Sequence, residues 1–252
     1  WKEALRLDRD QLNELFLLAR GVDAKHDAKL FELKRIIMDK AIQPFNDANK
    51  KVLVFTAFAD TAHYIYDSLQ DFARHEVKLN MALVTGSGTR TQFGANDFNS
   101  ILTNFSPTSK ERNKHRGMPT EGEIDILIAS DCISEGQNLQ DCDLIVNYDI
   151  HWNPVRIIQR FGRIDRLGST NARIRLVNFW PTEDLDGYIN LKHRVEARMA
   201  LVDITATGED NILNTEQIED LVNEDLKYRD RQLKRLKDEV LDLEDMGENI
   251  SL

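Results

Sequence analysis

Residues 159–166 read Gln-Arg-Phe-Gly-Arg-Ile-Asp-Arg, a run of the form Q-x-x-G-R-x-x-R. Arg163 and Arg166 stand three positions apart in it, so within a helix they share one face and can converge on a single anionic group. Arginine suits that chemistry because its planar fork stays charged and binds phosphate oxygens bidentately. An ordinary surface helix, with Asp165 as an ion-pair partner, is the competing account. Gly162 weighs against it, since a glycine inside a helix costs about 1 kcal/mol relative to alanine. Close approach of another group would explain its presence.

A helix must carry these arginines, and Asn153-Pro154 supplies its cap and first residue while Gly168 supplies its end. Upstream, Lys51 to Thr56 is a short continuous apolar run, the pattern of a strand buried on both faces of a parallel sheet. Asp60 or Thr61 can cap the next helix, whose Ile65, Leu69 and Phe72 fall at helical spacing. A strand at Leu79 to Val84 gives way to Thr85-Gly86-Ser87-Gly88, and a helix from Phe98 to Phe105 stops before Pro107. Strands follow at Ile124 to Ala129, Leu144 to Asn147 and Ile174 to Phe179. This alternation predicts an α/β protein with a right-handed, doubly wound parallel sheet. Ahead of it, Asp10 can cap a helix carrying Leu12, Leu15, Phe16 and Ala19 and closing at Gly21. A second helix runs through Leu30, Leu33, Ile36 and Ile37, and Pro44 ends the region.

The pattern divides the chain into an N-terminal helical extension over 1–48, an α/β lobe over 49–181 and a C-terminal helical extension over 182–252. Within the lobe, 106–123 is a polar insertion bearing Lys110, Arg112, Lys114 and Arg116 and broken by Gly117, Pro119 and Gly122. Such charge runs are commonly solvated loops, and the alternative is a basic patch for a polyanion. In the C-terminal extension, helices are expected over about Asp184 to Asp203 and Thr215 to Met246. Leu226, Leu233, Leu236, Val240 and Leu243 follow a 7-3-4-3 spacing that would suit a seam. Arg229 interrupts it, which favours packing on its own domain over a coiled coil.

Composition sets limits on function. With 41% hydrophobic and 30% charged residues, the chain reads as a soluble globular protein. A net charge of −10 argues against indiscriminate polyanion binding, so contacts with nucleic acid must come from local patches. No apolar run reaches the roughly 20 residues that span a bilayer, and no signal peptide opens the chain, so no membrane partner is expected. Cys132 and Cys142 match neither a disulfide framework nor metal-ligand spacing, which points to a reducing, cytoplasmic setting and no metal site. Opening on Trp1, the chain is expected to be a piece of something longer.

In open α/β sheets, ligands bind beyond the carboxyl ends of the strands. The polar and glycine positions fall there: Thr56 to Phe58, Thr85-Gly86, Ser130 to Asn138, and the helix after Tyr148. Each alone could be an ordinary loop, a helix cap or a turn glycine.

Taken together these segments resemble superfamily 2 helicases. Ile126 to Leu139, with Ala129-Ser130-Asp131 and Glu135-Gly136-Gln137-Asn138, is similar to motif V, and Gln159 to Arg166 is similar to motif VI. Lys51 to Phe58 resembles motif IV, and Val84-Thr85-Gly86 the segment after the next strand. The likeness covers about residues 50–180, in the order of the second RecA-like lobe. His151-Trp152-Asn153-Pro154, with Gln159 where many relatives carry His, resembles the Swi/Snf-like branch, including bacterial transcription-recycling translocases.

This resemblance implies an arginine finger at Arg166, supported by Arg163, acting on the γ-phosphate of ATP. Such a finger can be worth about 10³ to 10⁵ in rate. It places Gln159 on the same phosphate side and Gly136 and Asn138 near the nucleotide and its ribose. Thr56, Phe58, Thr85, Gly86, Ser130 and Asp131 match the surface that tracks a nucleic-acid backbone, with DNA favoured over RNA by the branch. Arg156, Arg160 and Arg173 receive no role, and an ion pair with a nearby acid is expected for at least one of them.

No Gly-Lys-Thr or Gly-Lys-Ser occurs in the 252 residues, and the one Asp-Glu pair, Asp238-Glu239, lies in a predicted terminal helix. The chain therefore holds half of an ATPase site. ATP and Mg2+ are expected as cofactors of the full-length protein, with a first RecA-like lobe of the same polypeptide as partner and no cofactor bound tightly to this piece. A module of another class, keeping the fold but serving only to bind proteins, is the alternative.

Overall fold

The strand Val52–Thr56 (β1) is buried at every residue, as its unbroken apolar run requires. In the computed structural model it lies in a six-stranded sheet of order β3-β2-β4-β1-β5-β6, with Met81–Thr85 as β2, Gly88–Thr91 as β3, Ile126–Ser130 as β4, Leu144–Asn147 as β5 and Arg175–Asn178 as β6. The structure describes residues 1–21, 26–133, 136–151, 154–165 and 169–180. The helices expected beyond Pro181, and the boundary residues Asn153 and Gly168, lie outside the described residues.

All pairings but one are parallel: β1 with β4 and β5, β2 with β4, and β5 with β6. Strand parity divides the core. Val52, Val54, Leu83, Ile126, Ile128 and Val146 face a cluster completed by two helices, Ala28–Ile42 (α2) and Ala59–Asp71 (α3). Leu53, Phe55, Val84, Leu127, Ala129 and Ile145 face the opposite cluster, covered by Phe98–Phe105 (α4). Helices on both faces make the sheet doubly wound and explain why these strands are apolar without alternation.

Several expectations change. The Thr85 to Gly88 stretch is a tight turn, and the exposed strand β3 returns antiparallel to β2, with Thr85 opposite Gly88. Gly-Thr-Arg-Thr carries no apolar face, so periodicity could not reveal it. The first helix, Lys2–Arg20 (α1), begins well before Asp10, because nothing in Lys2 to Arg9 stops a helix; Asp10 is an interior residue paired with Arg9. Likewise Asp60 and Thr61 lie inside α3, whose cap position is Phe58 with no side-chain hydrogen bond. By contrast α2 and α4 have true acidic caps, Asp27 accepting from Leu30 N–H and Asp97 from Ser100 N–H, each at 3.0 Å.

The helix of the arginines, Pro154–Phe161 (α5), is shorter than expected. Gly162 N–H still bonds four residues back to Ile158, but Arg163 and Ile164 N–H bond only three back, to Arg160 and Phe161. Arg163 therefore sits in a tightened turn after the helix, not on its face. A Cβ at Gly162 would make ordinary contacts at 3.5 and 3.8 Å with carbonyls of α5, and the glycine stands just past the end of that helix.

Candidate nucleotide and nucleic-acid interface

Register aligns the carboxyl ends of the central strands. Thr56 pairs with Ser130 and Phe55 with Asn147, while Thr85 follows the Val84–Ala129 pair. A polar row, Thr85, Ser130, Thr56 and Asn147, thus crosses the sheet edge at buried positions. Thr56 Oγ1 donates to Asp149 Oδ2 at 2.6 Å. Asp149 also receives Lys29 Nζ at 3.1 Å, and that ammonium lies 4.3 Å from the centre of the Tyr148 ring. Thr85 Oγ1 donates to Gly88 O within the hairpin turn, where Gly86 faces open space. Phe58 stands beside this row with 68% of its surface exposed.

Behind the row lies Arg160, which is fully buried. Its Nε donates to Asp131 Oδ1 at 2.8 Å and its Nη1 to Asn147 Oδ1 at 2.8 Å, while the guanidinium covers the Phe55 ring at 5.0 Å. Asn147 in turn donates to Asn178 on β6 at 2.8 Å. One planar fork therefore ties α5 to β1, to β5 and to the turn after β4, a use lysine's single point charge could not serve. The ion pair expected among the unassigned arginines is this one, and it occupies the Asp131 carboxylate.

On the other side of α5, the segment after β4 meets the arginine turn through the main chain. Leu139 N–H donates to Arg163 O at 3.0 Å. Gly136 has φ 74°, a left-handed conformation that glycine alone adopts without strain, and a Cβ there would meet nothing. Asn138 Oδ1 accepts from Gln140 N–H at 3.3 Å, and Gln159 Oε1 lies 3.5 Å from Arg156 Nη1. Arg163 and Gln159 are half-buried. Arg166 lies outside the described residues, as do Ser134 and Glu135.

Sequence reasoning missed Lys29, Asn147 and Asp149, which complete the strand-end row. A Tyr-Asp pair after an apolar strand was their only signal. It also missed Asp27, which links α2 to the row: Tyr64 and Tyr148 hydroxyls donate to its Oδ2 at 2.9 and 3.2 Å. Partial burial works to raise its pKa, but the bonds from Leu30 N–H and the two tyrosines outweigh it and hold the carboxyl below its ordinary range. Burial, then the neighbouring Asp27 charge, pushes the Tyr148 hydroxyl upward, so it stays a donor.

A family model described as "Helicase conserved C-terminal domain" matches residues 28–168. The chain belongs to that family. Over 47 residues this helicase C-terminal domain is 55% identical to "Uncharacterized ATP-dependent helicase YqhH" of Bacillus subtilis, covering 19% of the chain and 8% of that protein. It is 26% identical to "Probable ATP-dependent RNA helicase ddx51" of Dictyostelium discoideum over 195 residues, 75% of the chain and 30% of that protein. It is 25% identical to "ATP-dependent DNA helicase MPH1" of Coccidioides immitis over 185 residues, 72% of the chain and 15% of that protein. The chain thus spans less than a third of the length of each of these relatives.

Proposed function

We propose that this domain is the C-terminal motor lobe of an ATP-dependent nucleic-acid translocase or helicase, working inside the cell and supplying motifs IV, V and VI to an ATP site that a first lobe of the same polypeptide completes. Arg166 is assigned as the arginine finger and Arg163 as its support, with Gln159, Gly136 and Asn138 lining the nucleotide side. Thr56, Phe58, Thr85, Gly86, Ser130 and Asp131 line the nucleic-acid side, Asp131 acting through its pair with Arg160.

One observation carries this reading. The segment that begins at Ser130 on the strand-end row ends, at Leu139, hydrogen-bonded to the main chain of Arg163. Asp131, next to Ser130, is also paired with Arg160, whose carbonyl accepts from Arg163 N–H, so the nucleic-acid row and the arginine turn share bonded contacts, as a motor needs if closure of a cleft is both to align the finger and to move the strand. Bound ATP supplies the phosphoryl group whose transfer releases the free energy. Within that site Arg163 neutralises phosphate charge and orients the turn, and Gln159 offers an amide to the same side. Mg2+, expected with ATP, would be held by the phosphates and by carboxylates of the first lobe.

The test is steady-state ATP hydrolysis by the full-length protein with and without nucleic acid. Turnover should rise on adding nucleic acid, and Arg166→Ala should abolish it while ATP still binds. Unchanged turnover in that variant would remove the role given to Arg166, and no stimulation by any nucleic acid would favour the protein-binding module instead. Relatives named for RNA and for DNA both occur, so duplex DNA, single-stranded DNA and RNA should be compared, with DNA expected to stimulate most.

A further inference from the structure

The insertion between α4 and β4 is anchored at its first turn to the segment that follows β4, while 113–117 stay exposed. Thr108 and Ser109 N–H donate to Asp141 Oδ2 and Oδ1 at 2.6 and 2.9 Å, so one carboxylate anchors its first turn. Arg112 Nη1 donates to Gly122 O at 2.7 Å and closes the insertion on itself. Lys114 pairs with Glu111. Of the basic cluster, Lys110 turns inward: half-buried, its Nζ donates to Gln137 Oε1 at 2.9 Å. Burial lowers the pKa of this ammonium, and its acceptor is a neutral amide rather than a carboxylate. A lysine serving only solubility would keep its head in water.

Gln137 is the residue between Gly136 and Asn138. Gly136 is in the left-handed region, and a Cβ there would meet nothing within 4 Å. Among the described residues two contacts tie this segment to other parts of the fold: Gln137 accepts from Lys110, and Leu139 N–H donates to Arg163 O. One is supplied by the insertion and the other by the arginine turn.

We propose that Lys110 is a positioning residue of the nucleotide site: by holding Gln137 it fixes the 136–138 segment against the arginine turn, so that the insertion sets the affinity for ATP without touching it. This rests on the reading of Gly136 and Asn138 as nucleotide-facing. It converts a polar insertion into a built part of the motor, one whose exposed side is free to be moved by whatever touches it.

The experiment uses the full-length protein at saturating nucleic acid and measures KM and kcat for ATP in Lys110→Met, Gln137→Leu, the double variant and Gln137→Glu, each with its melting temperature. Lys110→Met should raise KM on the order of tenfold, the equivalent of one charge-assisted hydrogen bond, with kcat within about twofold. Gln137→Leu should match it, and the double variant should be no worse than either. Gln137→Glu keeps an acceptor for the ammonium and should retain the wild-type KM; with Gln137→Leu it decides the matter even if Lys110→Met folds poorly. A lowered melting temperature with unchanged KM, or additive KM effects in the double variant, would overturn the proposal alone. A wild-type protein without stimulated turnover would overturn the motor reading and this proposal with it.

Discussion

Arg160 and Asp131 form an ion pair across 29 residues of sequence, Nε to Oδ1 at 2.8 Å, with the guanidinium fully buried and the carboxylate partly open to water. A charge in that position is held by its partners together: the Asp131 carboxylate, the Asn147 amide oxygen and the face of Phe55. Arg160→Met removes the cation but leaves Asp131 and Asn147 without their donor. Breaking a buried pair from one side costs roughly 3–5 kcal/mol, and the exposure of Asp131 places this one at the low end. Urea denaturation should show a loss of about 3 kcal/mol, and Arg160→Lys should recover little of it because a point charge cannot span both acceptors. A loss below about 1 kcal/mol would mean that the buried fork contributes no more than an exposed pair.

Asp27 predicts an acid-sensitive step. Its folded pKa is depressed, so the stability it contributes is present above the unfolded carboxylate value of about 3.9 and disappears as pH falls through the folded value. Asparagine caps helices as well as aspartate but does not titrate. Asp27→Asn should therefore be less stable than wild type at pH 7, and the difference should shrink as pH is lowered below about 4. The check is the denaturation midpoint of both proteins between neutral pH and pH 3. Parallel curves would mean that Asp27 titrates alike in both states.

The central strands were legible because Lys51 to Thr56, Ile124 to Ala129 and Leu144 to Asn147 are buried on both faces and so written as continuous apolar runs. β3 was not, since an exposed edge strand of Gly, Thr and Arg has no core to record in its side chains. Helix starts misled for a related reason: Asp10 and Asp60 have capping side chains, but whether a residue caps depends on where the upstream chain stops being helical. Thr56, Thr85 and Ser130 are the last residues of their strands, a position that the order of the apolar runs alone gave. The partners of Arg160 and Lys110 escaped because they lie 13 to 29 residues away in sequence, and hydrogen bonds between side chains on different elements leave no local period.

Phe58 separates folding from binding. It is the cap residue of α3, yet its ring is largely exposed beside the strand-end row. Phe58→Ala should change stability by no more than about 0.5 kcal/mol. If the ring carries a stacked base, the same variant should weaken nucleic-acid binding by about 1–3 kcal/mol, to a similar extent for every sequence tried. Fluorescence anisotropy with several oligonucleotides reads this directly. Equal affinity of variant and wild type would take Phe58 off the interface.

The two insertion glycines test whether 106–123 is packed or merely solvated. Gly117 and Gly122 both have left-handed φ, 86° and 71°, so alanine strains the backbone alike at either, by about 1–2 kcal/mol. Their surroundings differ. A Cβ at Gly117 would meet nothing within 4 Å, whereas one at Gly122 would lie 2.8 Å from Cε2 of Phe93. Phe93 packs against the core cluster of α4, so it has little room to retreat. Gly122→Ala should therefore cost more than Gly117→Ala, by the roughly 1–3 kcal/mol typical of overpacking. It should also raise the KM for ATP if the insertion positions the 136–138 segment, while Gly117→Ala should leave KM alone. Equal destabilisation by the two would mean that the insertion does not press on Phe93 in solution, and its hold on Gln137 would then have to rest on Asp141 and Lys110 alone.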